Sequence, residues 1–324
     1  MRAARVSLRQ FWEKARRRLH VSDVGAPATR VSDPTLVNEA FLRRLERLVI
    51  LTRRFSAHGL IGEHRSRRQA TSFEFADYRR YVPGDDIRRI DWNAYGRLEE
   101  LFVKLTEAKE DLPIHLLLDC SRSMDWGSPS KFLYARQLAA ALGYLALSRF
   151  DAVTVATFGE QLYDRFPLVR GKDQALNLLW FLDNLAPGNE TDFGASMRQY
   201  CRNNHRRGLA IVISDLHAQD GYESGIDQLL QARMEVHVLH IVDPREVTPD
   251  FRGEIEFVDL ETGEQVELTI GAEAVRLYQQ RFEAWCAEIE SYCNQRAVSY
   301  LRVETSTTLE QLILLDMRQR KVVR

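Results

Sequence analysis

The chain has 324 residues, 45% of them hydrophobic, enough for a sizeable core in one or two domains. Its formal net charge of −1 gives no overall polyelectrolyte character. The four cysteines (Cys120, Cys201, Cys286, Cys293) lack paired metal-ligand spacing and read as reduced thiols. The longest strongly apolar stretch, 138–147, falls far short of the ~20 residues of a membrane helix, and nothing resembles a secretory leader, so the sequence reads as cytoplasmic.

In chain order, residues 1–20 carry seven basic side chains against the single acid Glu13, with Leu8, Phe11, Trp12, Ala15 and Leu19 at helical spacing. Such a helix can make peripheral contact with an anionic membrane face; the ordinary alternative is a tail or a helix packed on the body, since charge runs are usually solvated. Residues 21–33 read as a linker, and 38–53 as a helix with Phe41, Leu42, Leu45, Leu48 and Val49 on one side. From 113 the pattern alternates. Strands are predicted at 113–118, 152–158, 209–214, 235–242 and near 298–303. Helices are predicted at 130–149, 172–185, 192–206, 222–233, 272–296 and 308–319. Helix 130–149 is apolar on most sides, as a buried helix is. Cys286 and Cys293 fall on one face of the 272–296 helix, where burial accounts for them. Residues 254–270 read as a β-hairpin turning at Gly263, inserted into the alternating core. The expected fold is therefore α/β: a Rossmann-like domain over 113–324 with a mostly parallel sheet covered on both faces. A segment over 31–112 and a basic tail with linker over 1–30 precede it.

Two of these strands end in aspartate. Asp119 follows 114–118 and opens Asp119-Cys120-Ser121-Arg122-Ser123; Asp215 follows 209–214. Both carboxylates therefore fall on the carboxyl edge of the sheet, where open α/β sheets bind ligands. A third piece, Gly188-Asn189-Glu190-Thr191-Asp192, opens a helix. Carboxylates plus the hydroxyls of Ser121, Ser123 and Thr191 form an oxygen-only donor set suited to Mg²⁺, and also to Mn²⁺ or Ca²⁺. The five positions resemble the von Willebrand factor A domain and its metal-ion-dependent adhesion site, Asp-x-Ser-x-Ser with a distant Thr and a distant Asp. The resemblance implies that Ser121, Ser123 and Thr191 touch the metal while Asp119 and Asp215 hold it and its waters. It also implies an open position filled by a partner's Glu or Asp, so that the metal docks proteins. Glu190 and Asp192, close by in sequence, could contact a partner or close the site from within.

Residues 73–97 combine Glu74, Asp77, Asp85, Asp86 and Asp91 with Arg79, Arg80, Arg88, Arg89 and Arg97, interleaved with Tyr78, Tyr81, Trp92 and Tyr95. The balance of signs cancels the field that nucleic-acid binding needs; an Arg–carboxylate network is expected instead. Glu74, Phe75, Arg79, Tyr81, Pro83, Gly84, Asp85, Asp86, Arg88, Ile90, Asp91 and Trp92 resemble the signature of the bacterial domain-of-unknown-function 58 family. The similarity continues through Val103-Lys104, the Asp119 loop, Ser130-Lys131 and Ser214-Asp215, over about 40–245. The resemblance implies an adaptor or co-chaperone for a MoxR-type AAA+ ATPase or its client, bound through an acidic side chain. It adds Arg79, Asp85, Asp86, Arg88, Asp91 and Trp92 as candidate partner contacts. Many relatives carry two amino-terminal membrane helices; this chain resembles the soluble subgroup.

Enzyme readings fare worse. A haloacid-dehalogenase-type phosphatase needs a second Asp where Ser121 stands. Serine-hydrolase, zinc-protease and nucleotide-loop motifs are absent from the sequence. His217, two residues after Asp215, lacks the companions of a metal ligand. A metal-dependent hydrolase stays open as an alternative, since an open metal position can activate water. A metal that only staples the loops, with partners bound through 73–97, is the other alternative.

Overall fold

The computed structural model describes residues 19–21, 36, 39–57, 73–83, 85, 90–108, 113–188, 190–204, 206–218, 220–249, 253–259, 265–270 and 272–316. In chain order its elements are β1 (Leu19–Val21), α1 (Glu39–Ala57), β2 (Phe73–Arg80), α2 (Trp92–Leu98), β3 (Phe102–Ala108), β4 (Ile114–Asp119), α3 (Lys131–Ser148), β5 (Ala152–Phe158), β6 (Leu162–Arg170), α4 (Ala175–Asp183), α5 (Phe193–Asn203), β7 (Leu209–Ser214), α6 (Glu223–Gln231), β8 (Glu235–Val242), α7 (Pro244–Val247), β9 (Gly253–Asp259), β10 (Gln265–Ile270), α8 (Ala272–Gln295) and β11 (Ser299–Glu304). Of the basic amino-terminal segment only 19–21 is described, as β1; the helix expected over 1–20 otherwise lies outside the described residues. Among the described residues no helix is long and apolar enough to cross a membrane.

The central sheet has the order β11–β8–β7–β4–β5–β6. All neighbours are parallel except the last pair, β5 with β6. Successive strand residues face opposite sides of a sheet, and the core divides accordingly. Leu116, Leu118, Val153, Val155, Ile211, Ile213, Leu239 and Ile241 pack with α3 and α4. Leu117, Ala156, Val212, Val236 and Val238 pack with Phe193, Met197, Ile226, Leu229 and Ile289 of α5, α6 and α8. This is the covered, mostly parallel α/β sheet that the alternating pattern predicts. Strand β6 was not foreseen. Its sequence has three charged residues in nine and carries Pro167, tolerable on an edge strand because only one side must pair.

Helix α3 is buried along almost its whole length. One face meets the sheet; α1 covers part of the rest, sending Phe41, Leu45 and Leu48 into the same core as Leu138 and Leu142. Burying each such side chain stabilises by roughly 1.5–3 kcal/mol. Two polar ties reinforce the docking: Leu36 N–H donates to Asp183 Oδ1 at 2.7 Å, and Arg44 makes a two-pronged pair with Glu310. The chain divides into two compact units, 1–59 with 113–324, and 60–112. Helix α1, which the sequence grouped with the 31–112 segment, packs on the α/β body through this stripe.

The hairpin forms as expected from β9 and β10, and β1 adds to it as a third antiparallel strand. In the 60–112 unit, β2 and β3 pair antiparallel with an irregularity between Phe75 and Asp77, and Ile90 bridges Val103.

Candidate metal centre

The strand order reverses between β4 and β7. From β4 the chain crosses through α3 to β5 on one side; from β7 it crosses through α6 to β8 on the other. The crevice outside the carboxyl ends of two such strands is where α/β sheets hold ligands. Asp119 ends β4 and Asp215 follows β7, and both are 1% exposed. Ser214 Oγ donates to Asp119 Oδ2 at 2.5 Å, locking the two strand ends together. Asp119 Oδ1 accepts from the Ser121 N–H at 2.9 Å, which turns the chain at once. A short 3₁₀ turn at Arg122–Met124 follows, anchored by the buried Met124. The Ser121 and Ser123 hydroxyls are buried and lie 3.0 Å apart.

The third loop is tied to the first. Gly188 N–H donates to Cys120 C=O, and Asp192 N–H to Gly159 C=O. A side chain at 188 would meet Cys120 O at 3.2 Å and the Tyr163 ring at 3.1 Å, so this approach favours glycine. Thr191 is buried, and its hydroxyl has no hydrogen-bond partner. A buried polar group left unpaired costs about 1–3 kcal/mol; here it marks a donor atom waiting for something. Asp192 caps α5 by accepting from Ala195 N–H at 2.7 Å, and Glu190 is exposed.

A residue outside the expected ligand set completes the site. Lys131, first in α3 and 1% exposed, donates to Asp215 Oδ2 at 2.8 Å and to Glu246 Oε1 at 2.6 Å. Glu246 is itself fixed, its other oxygen accepting from Asp243 N–H in the capping box of α7. Asp215 Oδ1 accepts from His217 N–H at 3.1 Å. Burial alone would raise the Asp215 pKa, but the charges of Lys131 and His217 hold it well below the usual range. Asp119 goes the other way, pushed up to about 6 by burial and then by the charge of Asp215. The Lys131 ammonium is kept charged against burial by its two carboxylates. The His217 ring stacks on Trp285, with centroids 4.8 Å apart, so it is packed as well as placed beside Asp215.

These residues fit a hard divalent cation. Their donors are all oxygen, one buried hydroxyl is unpartnered, and Asp119 feels uncompensated negative charge. Among the described residues no group of three or more His, Cys, Asp or Glu is placed to hold a metal, so an ion here depends on the hydroxyls.

In the 60–112 unit the signature residues have other uses. Asp91 is buried and caps α2, accepting from Asn93 and Ala94 N–H groups at 2.9 and 3.2 Å. Asp85 closes a turn by accepting from Val82 N–H at 2.9 Å. Arg79 lies on β2 opposite Val103; Asp86 and Arg88 lie outside the described residues. Among the described residues of this segment Arg80 pairs with Glu100 at the surface, and Asp85 and Asp91 accept from backbone N–H groups; Asp86, Arg88 and Arg89 of the expected Arg–carboxylate network lie outside the described residues. Trp92 is 63% exposed, edge-on to Tyr95.

The family model described as "Protein of unknown function DUF58" matches residues 77–288. The uncharacterized protein Rv1480 of Mycobacterium tuberculosis is 28% identical over 246 residues, 74% of this chain and 75% of that protein. Among solved structures, the conserved hypothetical protein BatB from Bacteroides thetaiotaomicron is 18% identical, covering 65% of this chain and all of that one, with a TM-score of 0.43. A von Willebrand factor type A structure from Catenulispora acidiphila is 18% identical, covering 42% of this chain and 34% of that one, with a TM-score of 0.32.

Proposed function

The chain belongs to the DUF58 family, and from that premise we propose that it is a non-enzymatic protein-binding adaptor whose binding depends on a divalent cation. Ser121, Ser123 and Thr191 would be direct ligands, and Asp119 and Asp215 would hold the ion and its waters. The ion, Mg²⁺ or in its place Mn²⁺ or Ca²⁺, would supply positive charge for a carboxylate from outside. The proposed partner is a MoxR-type AAA+ ATPase or its client, offering a Glu or Asp side chain, as the family resemblance implies.

The observation that carries the reading is the Thr191 hydroxyl: buried, unpartnered, and on a loop bonded to the one that Asp119 opens. Around it this chain's own residues exclude water and fix the donors. Ser214 holds Asp119, the Ser121 backbone turns the loop, and Gly188 brings the Thr191 loop close. The test is calorimetric titration of Mg²⁺ and Mn²⁺ into wild type and Asp119→Ala, followed by ATPase binding with and without chelator. Metal uptake lost in the variant, with ATPase binding that needs metal, is expected. A wild type that takes up no metal would overturn the reading.

A second reading has an observation of its own. Val82, Trp92, Tyr95 and Leu98 are all exposed, an unusual set of apolar side chains for one short segment. In this reading the segment meets the partner and the metal only staples loops. Chelation separates the two. In the first, chelator abolishes partner binding and barely moves Tm; in the second it lowers Tm strongly and binding survives until the protein melts.

A further inference from the structure

Lys131 has no counterpart among the proposed ligands, yet it is the most completely buried cation beside them. Its ammonium is divided between Asp215 Oδ2 and Glu246 Oε1, at 2.8 and 2.6 Å. A buried ion pair is poor evidence of a stabilising role, since hydrophobic replacements of such pairs are often neutral or better. What Lys131 does change is the charge an ion would meet. Asp215 and Glu246 share this ammonium, so part of the negative charge beside Asp119 is already cancelled before any cation arrives.

Resting on the metal reading above, we infer that Lys131 is the residue that keeps the bound ion receptive to an outside carboxylate. It hydrogen-bonds one Asp215 oxygen, which makes that oxygen a weaker donor to the ion. It also cancels charge that would otherwise saturate the ion from within. Without it the same cation would sit in a net negative site, bound more tightly and with less attraction left for a partner's Glu or Asp. Glu246 opposes this action. It shares the ammonium, and its position is fixed because its second oxygen closes the α7 capping box. The less Glu246 draws on Lys131, the more firmly Lys131 holds Asp215.

The two residues therefore predict effects of opposite sign. Mn²⁺ alone is titrated into the full chain by calorimetry, for wild type, Lys131→Met and Glu246→Gln. Lys131→Met should tighten Mn²⁺ on the order of tenfold, because a positive charge leaves the site. Glu246→Gln, which keeps an acceptor for the cap, should weaken it several-fold. A role confined to holding the loops in place would weaken both, and that outcome, or no change in either, overturns the inference. If Lys131→Met does not fold, Glu246→Gln decides alone: equal or tighter Mn²⁺ binding overturns it. If wild type binds Mn²⁺ and Lys131→Met binds it no tighter, only this inference falls. If none of the three binds, the metal reading falls as well. If Lys131→Met alone binds, the restraint attributed to Lys131 is shown directly.

Discussion

Aspartates of the same sequence-level promise end up in different roles in the two units. At the carboxyl edge of β4 and β7, Asp119 and Asp215 are almost fully buried, and each carboxylate oxygen has one hydrogen-bond partner. A carboxylate oxygen has room for more than one, so both groups retain capacity. In the 60–112 unit, Asp91 spends its charge on the first turn of α2 and Asp85 on closing a turn. The difference teaches that position in the fold, more than residue type, assigns chemistry. A strand end at a topological switch point converges with other loops, whereas an Asp before a short helix finds its natural partners in free backbone N–H groups.

That contrast can be broken or sharpened by experiment. The largest effect should come from Asp119→Ala, which ought to weaken Mg²⁺ or Mn²⁺ binding by at least about 100-fold, roughly 3 kcal/mol, read by calorimetry. Retained binding would remove Asp119 from the site. Thr191→Ala should cost about tenfold in metal affinity, roughly 1.4 kcal/mol. Because its hydroxyl has no partner in the metal-free protein, Tm without metal should not fall.

A pH series tests the electrostatics of the same edge. Asp119 has a folded pKa of about 6, above its ordinary 3.8, so the metal-free native state binds that proton more tightly than the unfolded chain. Its contribution to stability is complete below the unfolded value and is lost as pH rises through about 6. Metal needs the carboxylate, so Mg²⁺ affinity, read by calorimetry, should weaken as pH falls from about 7.5 to about 5. An affinity independent of pH over that range would contradict the raised Asp119 pKa.

Smaller effects belong to the other unit. Asp91→Ala should destabilise by about 1 kcal/mol through the lost cap while leaving metal affinity unchanged. Coupled loss of metal binding would erase the contrast between the units. Trp92→Ala, at an exposed position, should change stability by less than about 0.5 kcal/mol. If it nonetheless abolishes ATPase binding in a pull-down, the second functional reading gains the decisive support.

Much of the fold was legible because it is written in short-range pattern. The runs 152–158, 209–214 and 235–242 match β5, β7 and β8, since buried parallel strands read as near-continuous apolar segments. The hairpin of β9 and β10 followed from its alternation and turn. Strand β6 escaped because an edge strand exposes half its side chains and carries no apolar run. The role of α1 escaped for another reason. Its stripe was visible, and so was the all-round apolarity of α3, but nothing local says that one covers the other. In the candidate site, the sequence singled out Asp119, Ser121, Ser123, Thr191 and Asp215 as candidates; it noticed Ser130-Lys131 only as part of a resemblance. The signal that could have found Lys131 is a basic residue in the first turn of a mostly apolar helix, since so buried a cation requires partners.

The sequence by itself determined the alternation of strands and helices, the aspartates at two strand ends and the hydroxyls that follow the first. These depend on periodicity and on residues a few positions apart. Only the tertiary structure decided that β4 and β7 are neighbours, that α1 joins the α/β body, and that Lys131 stands between Asp215 and Glu246. Those partners lie 84 and 115 residues away, and contacts so distant along the chain arise from how strands order in a sheet, which no local pattern encodes.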